Sequence, residues 1–331
     1  MFDDLYARFG DAFREKDSFT RYTVARLGGT VDATVRVKHT EDLIWLIQWA
    51  NQQPIPWRIV GGGANVLPSD KGYHGLMIIN QTNNVQIDAQ TGIVTADSGV
   101  NLTTLARRCM SEGLKGFEWA ISVPGTIGGA VVNNAGAHGG DIAGNLLDAR
   151  VLTLNTPHPL SPSPSSEGRG NEVPPSERSE LGEGFRVGGE VYQNADFEYA
   201  YRHSKLKGQA GRYVVLSARL QLEPGHHPTE LTKIAEGFVA HRKKTQPPGA
   251  SLGSMFKNPP GDYAGRLIEA AGLKGSQIGG VQISPVHGNF FVNVGHGTAA
   301  DYNALIELAQ KTVFNKFGIA LELEIERIGD W

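Results

Sequence analysis

The stretch Pro124–Gly140, PGTIGGAVVNNAGAHGG, constrains the fold of this chain most. Its seventeen positions hold six glycines and three alanines, with no Asp, Glu, Lys or Arg. Each interior glycine costs a helix roughly 1 kcal/mol relative to alanine, so the run is read as loop and not as an ordinary helix. Such a backbone can turn through positive φ and let a ligand approach its amides closely. A second cluster, Gly61-Gly62-Gly63-Ala64-Asn65, follows the strand-like Trp57–Val60. Two such loops fit a large phosphate-bearing ligand held by main-chain N–H groups. Taken singly, each reads equally well as a pair of tight turns.

Length and charge narrow the class. A chain of 331 residues holds two or three domains, each with its own core. A net charge of −3 lacks the basic footprint of a nucleic-acid binder. The single cysteine, Cys109, excludes an intramolecular disulfide and a Cys-rich metal site, and its helical surroundings predict a buried core thiol. No signal-type segment and no membrane-length apolar run is present. The expectation is a cytoplasmic, monomeric protein with no metal, membrane or nucleic-acid partner.

Strand and helix patterns alternate along most of the chain. Thr40 is expected to cap a helix over residues 41–51, and the spacing of Leu102, Leu105, Ala106, Cys109 and Met110 predicts another, closed by Gly113. A third follows Thr229, and a fourth runs from about Thr298, with Thr298 and Asp301 at capping-box spacing, to Gly318. Strands are predicted at 76–80, 84–88, 93–97 and 151–155. Residues 319–326 alternate so regularly that a closing strand is expected, with Glu322, Glu324 and Glu326 on one face. By contrast, Thr156–Gly184 contains six of the seventeen prolines and almost no apolar residue, and reads as a disordered insertion of no catalytic importance.

Neither glycine loop matches G-x-x-x-x-G-K-[ST] or G-x-G-x-x-G, which removes the main support for a P-loop or Rossmann site. Pro68 follows Gly63 too closely for a long helix, so the first loop should act as a nest of amides. At this point a resemblance becomes specific. Gly61–Leu67 and Pro124–Gly140 are similar to the two glycine loops of the UDP-N-acetylenolpyruvoylglucosamine reductase family. Further matches come in order: Arg26–Gly29, Tyr201–Ser204, Gly253–Pro259, Ala264–Gly275, His287–Asn293 and the closing Leu321–Glu324 segment. The chain departs from the family pattern at Ala64, Asn133 and His203, and it resembles the shorter class, which lacks an extra tyrosine-bearing loop.

The resemblance implies an α+β protein: a two-lobed FAD-binding fold of the vanillyl-alcohol-oxidase type plus a C-terminal α/β substrate domain. Lobes are expected at 1–80, joined by 321–331, and at 81–222, with the substrate domain at 223–320. FAD would lie between the loops, against Gly61, Gly62, Gly63, Ala64, Asn65, Val66, Leu67, Pro124, Gly125, Thr126, Gly128, Gly129, Asn134, Ala135 and Gly136. The implied reaction reduces UDP-N-acetylenolpyruvoylglucosamine to UDP-N-acetylmuramate for peptidoglycan, with NADPH as hydride donor and FAD as carrier. Hydride would pass from flavin N5 to substrate C3. Arg202 and Glu324 would stabilise the resulting enolate, and Ser254 would protonate C2. Tyr201, Lys257 and Asn258 would bind substrate, with Arg242, Gln246 and His287 as further candidates. From alternation alone Glu322 and Glu326 are as eligible as Glu324; only the family register selects among them. Two other readings remain open: a related flavin oxidase with the flavin tethered through His138, and a silent nucleotide-sugar binder.

Overall fold

The computed structural model describes residues 2–154 and 189–331, so the predicted insertion at Thr156–Gly184 lies outside the described residues. Three larger sheets are laid out along the chain, with two two-stranded ladders beside them among the described residues. The first is mixed: Phe13–Ser18, Thr30–Val37, Tyr73–Asn80 and Trp57–Val60 are neighbours in that order, the last two pairings being parallel. The helix Thr40–Asn51 crosses over between Thr30–Val37 and Trp57–Val60, burying Leu43, Leu46, Ile47 and Ala50 in a core with Val35, Trp57 and Ile78. His39 occupies the cap position, and Thr40 is the first helical residue and not the cap.

The second sheet is antiparallel, in the order Glu190–Gln193, Leu146–Thr153, Tyr213–Gln221, Ile93–Asp97 and Val85–Asp88. The helix Leu102–Ser111 covers it and buries Cys109, whose thiol is pushed up to about 12 by burial, as expected of a core residue. The long helix Pro228–Thr245, which follows the expected boundary at residue 222, sends Leu231 and Ala235 into this same core.

The third sheet joins Ala250–Ser254, Phe290–Asn293, Val281–Ile283 and Gln277–Ile278, all antiparallel. Helices Ala264–Ala270 and Ala299–Phe317 pack on it through Leu267, Ile268, Tyr302, Leu305 and Ile306. Strand and helix alternate here as an α/β label suggests, but the pairing is antiparallel. Thr298 and Asp301 form the predicted capping box, and Gly318 closes the helix in the left-handed region at φ +68°.

Two expectations from pattern fail. The glycine run does contain a helix, Ile127–Asn133. Gly128 serves close packing: a Cβ there would sit 2.9 Å from the Ser98 Cβ, so a larger residue would hold this turn off the residue that follows the strand Ile93–Asp97. The predicted strand over residues 319–326 is also absent. This segment makes one bridge, Phe256 to Leu323, and a ladder starts only at Glu326–Ile328, which pairs in parallel with Val66–Pro68. The alternation is nonetheless physical, because Leu321 and Ile325 are buried while Glu322 and Glu326 face out.

Candidate active site

A cleft of about 840 Å³ opens where the three sheets meet, within the size range of small-molecule sites. Both glycine loops wall it. They touch: a Cβ on Gly61 would lie 2.3 Å from the Thr126 Oγ1. Gly63 has φ +59°, and a side chain there would collide with the Tyr22 carbonyl at 1.8 Å. The first loop is anchored through its carbonyls, Gly63 O accepting from Val24 N and Asn65 O from Glu326 N. Among the described residues no main-chain N–H of residues 61–65 is spent on that anchoring; the one N–H used is the side-chain amide of Asn65, which donates to Glu324 O. A second cavity of about 350 Å³ shares Gly61, Gly62, Asn80 and Thr126 with the cleft and reaches Asn83, Asn101 and Arg108, so the glycine seam borders open space in two cavities. An extended cofactor with a diphosphate at its middle fits this seam: bare backbone where phosphates must come close, and room beyond for two bulky ends. The residues present thus fit FAD.

Sequence reasoning missed the polar floor beside the loops. Asn80 Nδ2 donates to Ser98 Oγ at 2.7 Å, and Asn80 Oδ1 accepts from the main chain and hydroxyl of Thr82. Gly99 N donates to the same hydroxyl. Buried polar groups are tolerated when hydrogen-bonded in this way. Asn80 and Ser98 line the cleft, but in sequence they look like ordinary strand-end residues.

The far wall brings together the three residues singled out for chemistry. Ser254 ends a strand with a register shift after Ser251, and Gly253 at φ +77° breaks the ladder there. The segment carrying Glu324 runs antiparallel beside it: Glu324 N donates to Met255 O, and Lys257 N donates to Glu322 O. Arg202 stands on a tight turn in the left-handed region, at φ +54°, where Ala200 and His203 exchange main-chain hydrogen bonds. Its Nε lies 2.8 Å from Glu324 Oε1. This is an ion pair and not an aligned hydrogen bond, since the Nε–H has no acceptor in line. Arg202, Ser254 and Glu324 all line the cleft.

Exposure separates the three acids that alternation could not. The Glu322 side chain is 74% exposed and that of Glu326 53%, whereas that of Glu324 is 15% exposed. Burial raises the Glu324 carboxyl above the usual glutamate range, although the cations of Arg202, Lys207 and Lys257 oppose the shift.

Other candidates divide. Pro124, Gly125, Thr126, Gly128, Gly129, Ala135 and Gly136 line the cleft, as do Gly61–Val66. Leu67 and Asn134 do not: Leu67 is wholly buried, and Asn134 braces the second loop by bonding Ala200 O and Ala143 N. Tyr201 is 56% exposed and lies beside the Arg202 guanidinium, outside the walls. Lys257 pairs with Glu322, and Asn258 Oδ1 accepts from Ala264 N at the start of a helix; neither lines the cleft. Arg242, Gln246 and His287 do, with Arg242 Nε donating to Gln246 Oε1 at 2.9 Å. His138 also reaches the cleft, its ring stacked on Phe238 with centroids 4.3 Å apart. Lys207 lines the cleft as well, and the sequence reading did not single it out.

Comparison with known proteins agrees with this geometry. The FAD binding domain family matches residues 31–155, and the UDP-N-acetylenolpyruvoylglucosamine reductase C-terminal domain matches residues 244–328. The UDP-N-acetylenolpyruvoylglucosamine reductase of Synechococcus sp. (strain WH7803) is 39% identical over 96% of this chain and 93% of its own length. The chain belongs to this reductase family. The Prochlorococcus marinus (strain MIT 9313) reductase is 41% identical over 94% of the chain and 92% of its own. The crystal structure of the Thermus caldophilus reductase is similar with a TM-score of 0.71 and 29% identity, covering 95% of this chain and 99% of that one. The protein is therefore an FAD-dependent oxidoreductase of α+β fold, with an FAD-binding domain joined to the reductase family's C-terminal domain.

Proposed function

We propose that this enzyme reduces UDP-N-acetylenolpyruvoylglucosamine to UDP-N-acetylmuramate, with NADPH as the source of electrons, in peptidoglycan synthesis. The observation that carries this reading is the convergence of Arg202, Ser254 and Glu324 on one cleft beside the glycine loops. FAD held along the two glycine loops would supply, from N5, the hydride that reduces the enolpyruvyl group at C3.

The chain's own residues have three tasks. Arg202 binds the substrate carboxylate; a guanidinium keeps its charge and offers paired donors, and the unaligned Nε–H leaves donor capacity available. As charge builds on that carboxylate, the protonated Glu324 shares its proton with the developing enolate oxygen. Burial favours this protonated form. Ser254 gives its hydroxyl proton to C2, a role that requires close placement because serine is a weak acid. Arg242 and Gln246 meet the nucleotide diphosphate. Lys257 acts on substrate indirectly, by fixing Glu322 and hence the segment that carries Glu324.

Residues 1–80 with 321–331 form one FAD lobe in this reading, 81–222 the second and 223–320 the substrate domain. In this reading the enzyme acts as a monomer in the cytoplasm. The test is a visible spectrum of purified protein, taken before and after NADPH and again after the enolpyruvyl nucleotide. Bleaching by the first and recovery with the second, without oxygen, is the expected result; bleaching with no anaerobic recovery would overturn the reading. The tethered-oxidase alternative draws on His138, whose Nε2 has no hydrogen-bond partner among the described residues. Acid denaturation should release all the chromophore if the flavin is not tethered.

A further inference from the structure

Lys207 is a cation at the cleft that the reaction above does not use. It is partly buried, and burial lowers its proton affinity from the usual lysine range, so it is no ordinary solvated surface lysine. Its Nζ donates to the Arg202 carbonyl at 2.9 Å. Among the described residues, no carboxylate lies within ion-pair distance of that nitrogen; its fixed contact is a peptide oxygen. That oxygen belongs to a residue whose backbone is held at φ +54° and whose side chain is paired with Glu324.

We infer that Lys207 is the positioning residue of the Arg202–Glu324 pair: its ammonium fixes the Arg202 peptide and biases the proton on Glu324. The inference rests on the reaction proposed above and adds a residue to it. Through the hydrogen bond, Lys207 holds the Arg202 turn in a left-handed conformation that an L side chain rarely adopts. Through its charge it favours the ionised form of Glu324, which burial disfavours. The charged groups facing Glu324 are Arg202, Lys207 and Lys257, while Lys207 faces Glu326 as well as Glu324. Glu326 is itself paired with Arg58 at 3.2 Å. Lys207 is therefore in electrostatic contact with both carboxylates, and also with the cations of Lys257 and Arg202.

The test compares the flavin-loaded wild type with Lys207→Met and Lys207→Arg. In the resting enzyme, Glu324 is titrated by carbon-13 NMR of labelled glutamate, its signal assigned by loss in Glu324→Gln. Removing the cation should raise the Glu324 midpoint by about one pH unit, while Lys207→Arg should leave it at the wild-type position. In turnover, Lys207→Met should slow reoxidation by the enolpyruvyl nucleotide about tenfold or more, leave reduction by NADPH within about twofold, and move the alkaline limb of the reoxidation profile upward by the same interval. An unmoved Glu324 midpoint overturns the inference, and so does equal loss in both half-reactions. If the midpoint moves but wild type does not reoxidise with that nucleotide, the assigned reaction fails and the Lys207–Glu324 coupling stands. If Lys207→Met fails to hold flavin, Lys207→Gln is scored in its place, and a second failure overturns the inference in favour of a scaffold role.

Discussion

Asn65, on the first glycine loop, donates its side-chain amide to the main-chain carbonyl of Glu324 at 3.2 Å, and its own carbonyl accepts from Glu326 N at 2.9 Å. The backbone that fits the flavin and the backbone that carries the buried acid are thus one hydrogen-bonded unit. A disturbance of either should reach the other. The residues are far apart in sequence, so no local pattern could have announced the link.

Asn65→Ala should expose this coupling. Loss of one partly buried hydrogen bond should cost about 1 kcal/mol of stability, read as a fall in the urea midpoint. Because Glu324 would lose an anchor, reoxidation by substrate should slow by about tenfold while reduction by NADPH changes little. Stopped-flow measurement of the two half-reactions separates these outcomes.

Gly63→Ala addresses the cradle itself. The left-handed conformation alone costs an alanine roughly 1–2 kcal/mol, and the added carbon would meet the Tyr22 carbonyl at 1.8 Å. The loop must therefore shift away from the seam it shares with Thr126. Purified protein should carry little flavin, checked by the ratio of visible to ultraviolet absorbance, and should not regain full occupancy on incubation with FAD.

Ser254→Ala should leave NADPH-dependent bleaching close to wild type and slow the return of colour by roughly a hundred- to ten-thousandfold, the range for loss of a positioned proton donor. Similar slowing of both steps would remove Ser254 from protonation. The variant should stay folded, since the strand that ends at Ser254 is held by the main-chain pairings of Ala250 and Ser251 with Asn293 and Val292.

Asp17 offers a pH signature away from the chemistry. Burial pushes its carboxyl up, but hydrogen bonds from the Tyr22 hydroxyl, Ser18 N and the Thr34 hydroxyl, with the charge of Arg21, outweigh this and leave it below the usual aspartate range. A carboxyl lowered by folding adds stability above its unfolded pKa and loses it as pH falls through the folded one. Asp17→Asn should therefore be less stable than wild type at neutral pH, by about 1–3 kcal/mol. The gap should close below about pH 4. Urea melts at the two pH values decide it, and a constant gap would mean the charge is immaterial.

Much of the site could be read from the chain because its parts are local. Glycine clusters show themselves in composition, capping boxes in spacing, and the predicted one at Thr298 and Asp301 forms as expected. What stayed hidden was tertiary. The short helix Ile127–Asn133 defies propensity because Gly128 must lie against Ser98, a contact absent from any window of sequence. The alternation around Glu324 was real, but its cause was burial of Leu321 and Ile325 and not a ladder. Alternation could not tell Glu324 from Glu322 and Glu326; the family register pointed to it, and in the fold three equivalent positions in a pattern became unequal in exposure. Lys207 gave no signal at all, since its meaning depends on a carbonyl five residues back turning toward it.

The parallel pairing of Glu326–Ile328 with Val66–Pro68 has a consequence for biogenesis. A ribosome must add 259 residues after Asn65 before Glu324 can dock against the first glycine loop. A growing polypeptide could shape the cradle early, yet it would lack the acid until that long stretch had been made. Abortive products cut short before that point should therefore be inert as reductases, even where they retain some grip on the cofactor.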